Sequence, residues 1–102
     1  MILFNTTFHI HTSIDKDFTQ WIRENYIPAA KSAGIFTDIE FVHILIPNDP
    51  DAKSYAVQMK APSKAEAEKW HDNDGSRLKS ILTSRYGERF LFFTTYMEIL
   101  AQ

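Results

Sequence analysis

Four polar side chains at alternate positions, Asn5, Thr7, His9 and His11, are the residues of this chain best spaced to do chemistry together. Successive side chains of a strand point to opposite faces, so these four share one. Asparagine and threonine can each donate and accept a hydrogen bond, and a neutral imidazole offers one of each. Such a row can orient a polar group of a small molecule. Gln58 and Tyr96 are read as joining it from neighbouring strands, which makes the ligand-binding set Asn5, Thr7, His9, Gln58 and Tyr96. The same atoms can also satisfy one another or bind buried water, the usual fate of buried polar groups.

Other chemistry is harder to assemble. His9 and His11 share a face and would suit two metal ligands, but zinc takes three or four. The only obvious carboxylate on that face is Glu98, His43 points to the helix side and His71 lies on another element, so no metal site is read. His9 has the intrinsic pKa for acid–base work but no evident orienting partner, and no catalytic residue is assigned. The chain has no cysteine, which excludes disulfides, thiolate nucleophiles and Cys-based metal sites. It also lacks a Gly-rich phosphate loop, a nucleophile elbow and a basic aromatic patch. Lys79, Arg85 and Arg89 are read as a solvated face.

The elements that must position these residues follow from hydrophobic period. Ile2 to Thr12 alternates, with Ile2, Phe4, Phe8 and Ile10 on a greasy face and the polar row on the other. Ile14, Phe18, Trp21, Ile22 and Asn25 then fall on one helical face, with a break predicted near Tyr26–Ile27 because of Pro28, and a short turn from there to Ala33. Gly34 stands where a left-handed residue would end that segment. Strands are predicted over 35–46 and 54–61, joined by the acidic turn from Pro47 to Asp51. Ser63 and Glu66 form a capping box for a second helix, with a kink or break at 71–75 and an end at Gly87. A last strand runs from Arg89 to Leu100. Leu91, Phe93, Met97 and Ile99 form its more apolar face; Phe92, Thr94, Tyr96 and Glu98 form the other.

The order β-α-β-β-α-β is that of a ferredoxin-like α+β sandwich, with the first and third strands central and both helices on one side. The helices are expected to cover the rows Phe4/Phe8, Val57/Met59 and Phe93/Met97. The opposite face would then expose Phe92, Tyr96 and part of the second strand, which a second copy of the chain would cover. The length, 102 residues with 44% hydrophobic and 24% charged, suits a single domain over 1–102. A formal charge of −2 offers no attraction to nucleic acid or anionic lipid, and the start of the chain reads as neither a signal peptide nor a membrane span.

The segments 21–28 (Trp-Ile-Arg-Glu-Asn-Tyr-Ile-Pro), 34–36 (Gly-Ile-Phe), 55–58 (Tyr-Ala-Val-Gln) and 85–90 (Arg-Tyr-Gly-Glu-Arg-Phe) resemble a family of short, uncharacterised bacterial proteins. That family is similar in fold to the dimeric α/β-barrel proteins, which include antibiotic-biosynthesis monooxygenases and haem-degrading enzymes. The resemblance spans nearly the whole chain. It implies a homodimer with two sheets closed into a barrel, and it implies no activity. Haem-degrading members use an Asn on the first strand and a Trp and a His on the second helix. Here Asn5 falls on the face away from the helices, Thr6 takes the helix-facing place, and His71 directly follows Trp70, about a quarter-turn or more away. The later turns carry Arg77, Lys79 and Ser80 but no histidine. Trp70 and Trp21 are read as core anchors and no cofactor is assigned.

The reading from sequence is thus a small homodimeric ligand-binding or accessory protein of the dimeric α/β-barrel type. Its partners are a second copy, through the sheet face, and a small apolar or aromatic ligand; nucleic acid and membrane are excluded, and the cysteine-free chain reads as cytoplasmic. The alternatives are a monooxygenase-like enzyme acting on an apolar or aromatic small molecule, and a protein-interaction module without a ligand.

Overall fold

Alternation builds four strands, and the helical period builds the two segments that pack on one side of them. The computed structural model describes residues 1–45 and 49–102. The strands are β1 (Ile2–His11), β2 (Thr37–Ile44), β3 (Ala52–Ala61) and β4 (Phe90–Glu98). They form one antiparallel sheet in the order β2-β3-β1-β4, so β3 and β1 are central. This is the β-α-β-β-α-β arrangement, and the fold is ferredoxin-like α+β. The expectations for Ile46 and for the start of the acidic turn at Pro47 and Asn48 lie outside the described residues.

Each helical segment is continuous, with a wide turn in its middle. The first runs through α1 (Asp15–Trp21), a π-helical turn (Ile22–Tyr26) and α2 (Ile27–Ser32). The break predicted at Tyr26–Ile27 and the turn from Pro28 therefore do not occur. Proline lacks an N–H and crowds the carbonyl one turn back; the π turn, in which the Ile27 N–H reaches the Ile22 carbonyl, opens the backbone just ahead of it. The second segment repeats the plan with α3 (Lys64–Trp70), a π turn (His71–Gly75) and α4 (Ser76–Tyr86). Ser63 caps it by accepting from the Glu66 N–H at 3.2 Å. At Gly75 an added Cβ would lie 3.2 Å from the Trp70 ring, so glycine lets that ring lie against its own helix. Gly34 and Gly87 end the two segments with φ of 75° and 57°. No helix of the described residues is long and apolar enough to cross a membrane.

Two aspartates of the first helical segment fasten it to its neighbours. Asp15 accepts from Lys53 Nζ at 2.8 Å and from the Tyr55 hydroxyl. Asp17 takes two bonds from Arg85, both 3.0 Å, and one from the Tyr86 hydroxyl at 2.6 Å. Burial alone would raise the Asp15 carboxyl; the bonds from Lys53 and Tyr55 outweigh it and hold the group below the usual carboxylate value. Between helices and sheet lies an aromatic core in which Phe4, Phe8, Phe18 and Tyr26 are fully buried.

β4 has its faces exchanged relative to the expectation. Phe4 lies opposite Tyr96, Thr6 opposite Thr94, and Phe8 opposite Phe92. Directly paired residues share a face, so Phe92 and Tyr96 belong to the helix side and Leu91, Phe93 and Met97 to the open side. The strand is apolar on both faces, so its pattern does not choose between them. The short turn Gly87–Arg89 sets the phase by delivering Phe90 into the core.

Candidate functional site

The polar row lies on the open face of the two central strands. Asn5 pairs with Gln58, Thr7 with Ala56 and His9 with Ser54. Asn5 Nδ2 donates to Thr7 Oγ1 at 3.0 Å. Asn5 is only 8% exposed, and its Oδ1 is shut away without a partner among the described residues. His9 does have an orienting partner, Ser54 Oγ at 2.8 Å from Nδ1, which alternation across an unknown register had hidden. His11 spends its Nδ1 accepting from the Ser13 N–H at 3.0 Å. Tyr96 does not join the row, because it stacks on Phe4 at 5.1 Å on the helix side. Phe93 and Thr95 of β4 flank Thr7 and Asn5 in its place. His43 lies over Tyr55 at 4.9 Å, on the helix side as read. Among the described residues, no three His, Asp or Glu side chains converge on a metal position.

A second polar cluster sits on the helix side, where the sequence reading saw only core. Lys79 of α4 is 2% exposed, not part of a solvated face. Its Nζ donates to Thr6 Oγ1 at 3.3 Å and to Thr94 Oγ1 at 3.1 Å, while the two hydroxyls lie 3.5 Å apart. The amine also stands over two rings, 5.4 Å from the centre of Phe92 and 5.8 Å from that of Phe4. Among the described residues it forms no ion pair with an acid. Burial therefore acts unopposed and pushes the ammonium down to about 8. Nearby, the Tyr26 hydroxyl is fully buried without a well-formed bond among the described residues and is pushed up to about 12 by burial, partly opposed by Thr6. The Trp70 Nε1 is likewise buried and has no partner among the described residues.

Lys79 borders a cleft of about 340 Å³ between α4 and the edge strand, lined also by His71, Ser76, Ser80, Thr83 and Phe92. His71 contacts Asp72 through Nδ1 at 3.2 Å. A hydroxyl-lined wall, an aromatic wall and an unpaired amine can hold a small molecule that offers an oxygen to the nitrogen and a flat face to Phe92. The donor set does not fit haem. Trp70 is 5% exposed and packs against Phe4, Tyr26 and Phe36. The amine of the cleft is already held by two hydroxyls. A signal for this cluster is present in the sequence: Gly75, Lys79, Leu82 and Tyr86 recur at spacings of a single helical face, and a lysine there stands in a core position.

In shape the chain is similar to an antibiotic biosynthesis monooxygenase, with a TM-score of 0.71, 11% identity, and 99% of this chain and 100% of the other covered. It is also similar to the haem-degrader MhuD of Mycobacterium tuberculosis, whose structure holds two haems in its active site (TM-score 0.65, 11% identity, 100% and 98% covered). A dimeric ferredoxin-like protein from an uncultured marine organism matches with a TM-score of 0.64 and 14% identity, over 100% and 97% of the two chains. At such identities the likeness establishes the fold alone. A search of curated proteins found no match. Residues 1–100 match the family described as a domain of unknown function (DUF4286), and the chain belongs to that family.

Proposed function

We propose that this protein is a homodimeric, cytoplasmic small-molecule-binding protein of the dimeric α/β-barrel type, with its ligand seated in the cleft beside Lys79. The observation that carries this reading is the lysine itself: nearly fully buried, held by two hydroxyls and unpaired with any acid among the described residues. A buried ammonium without a counter-ion is costly, and residues kept against such a cost point to a site. Relatives of the same fold include one named a monooxygenase and one that binds haem in its active site, so ligand chemistry on this scaffold is in keeping with the reading. The dimer is supported by an open sheet face on which Leu91 is 65% and Phe93 60% exposed, and by a relative described as dimeric.

Native mass spectrometry of protein purified without denaturation tests the cleft. The wild type should retain a small molecule that Lys79→Met does not. Equal retention in both would remove Lys79 from the ligand site. Asn5 Oδ1 favours a second reading, in which Asn5, Thr7, His9 and Gln58 meet a polar group enclosed between the two sheets. Asn5→Leu would then abolish retention while leaving the dimer intact, and unchanged retention in Asn5→Leu and His9→Leu would exclude the row.

A further inference from the structure

We propose that the Lys79 amine is a nucleophile that captures a carbonyl-bearing small molecule, an aldehyde or ketone, as an imine in the cleft beside α4. The inference rests on reading that cleft as the ligand site, and adds to it the chemical class of the ligand. Geometry supplies the main support. Nζ is held in place by Thr6 of β1 and Thr94 of β4, while the same residue borders the open cleft lined by Ser76, Ser80 and Phe92. A lysine buried only as a structural cation would be expected to lie against a carboxylate, and none among the described residues pairs with it. Lysines that attack carbonyls are activated by desolvation in apolar surroundings, which Phe4 and Phe92 provide.

The step balances without an oxidant or reductant. The lone pair of the neutral amine attacks the carbonyl carbon, the C=O π pair moves to oxygen, and that oxygen takes up a proton. Nitrogen then passes one of its two protons to that hydroxyl, which leaves as water as the nitrogen lone pair closes the C=N bond. The protonated imine carries its positive charge at the former Nζ, where the faces of Phe92 and Phe4 stabilise a cation. His71 lines the same cleft and is the titratable group placed to exchange protons there, with Asp72 against its Nδ1. Because burial lowers the amine to about 8, its neutral fraction at pH 7 exceeds that of an ordinary lysine by on the order of a few hundred-fold.

The test uses intact wild-type protein, benzaldehyde and sodium cyanoborohydride at neutral pH, with peptide mapping to locate each benzyl group. Lys79 should be labelled first and once per chain, ahead of the six other lysines, which serve as internal standards. Thr94→Val should slow labelling at Lys79 several-fold without altering the rates at the others. Label spread over the other lysines with Lys79 unmodified would overturn the imine. Benzyl alcohol, which has the ring but no carbonyl, separates that failure from a failure of the cleft. If it slows labelling at Lys79, it supports both the cleft and the imine. If it raises the melting temperature of the wild type but not of Lys79→Met, with no adduct at Lys79, the cleft stands and the imine falls. If it does neither and Lys79 stays unlabelled, both readings fall.

Discussion

Lys79 shows what single residues reveal in the sequence and what they hide. Its place on the stripe with Leu82 and Tyr86 is legible, as is Thr6 between Phe4 and Phe8. The third member, Thr94, is hidden until the register between β1 and β4 sets it opposite Thr6. Asn5, Thr7, His9 and Gln58 share a face as read, because alternation along adjacent strands is enough to place them. The buried amine makes stability depend on pH in a definite direction. Below about pH 8 both folded and unfolded chains hold the Lys79 proton, and the full cost of burying the charge is present. As pH rises from there towards the ordinary lysine value of roughly 10.4, the folded chain has lost a proton the unfolded chain still binds, so stability rises. Lys79→Met should therefore be more stable than the wild type at pH 7, by roughly 1–3 kcal/mol, with the gap closing by pH 10. Urea unfolding at the two pH values measures it; a variant less stable at pH 7 would contradict the cost.

At the scale of elements, period identifies four strands and two helical segments, and caps locate their ends. Ser63 and Gly34 act as their types require. Two features escape this reasoning. Pro28 looks like a stop, yet the π turn ahead of it carries the helix onward, and a wide turn has no simple residue signature. β4 is apolar on both faces, so amphipathicity cannot orient it, and its more apolar face lies on the open side rather than against the helices. In the second helical segment, the position of the Trp70 ring depends on Gly75 having no side chain. Trp70 is hemmed in by Phe4, Tyr26 and Phe36 and has little room to yield. Gly75→Ala should lower stability by roughly 1 kcal/mol, overpacking outweighing the helix propensity gained. Thermal unfolding followed by tryptophan fluorescence measures this, and an unchanged or higher melting temperature would show that the ring can move.

At the scale of the whole molecule, a sandwich with helices on one side leaves the other side of its sheet open, with Leu91 and Phe93 exposed beside the polar row. The corrected orientation of β4 moves the exposed aromatic of that face from Phe92 to Phe93. For the proposed homodimer, Phe93→Glu should give a monomer by light scattering at micromolar concentration, while Arg77→Glu, at an exposed position of α4, should remain a dimer. A monomeric wild type would remove the second copy from the account. The proposed ligand cleft lies on the helix side, away from that open face, and its chemistry depends on the state of the amine there. The most direct measurement is an NMR titration of the lysine side chains in the intact protein. A lysine signal with its midpoint near pH 8, absent from Lys79→Met, is the predicted result. A Lys79 midpoint near the ordinary lysine value, roughly 10.4, would contradict a buried, unpaired amine at the centre of the site.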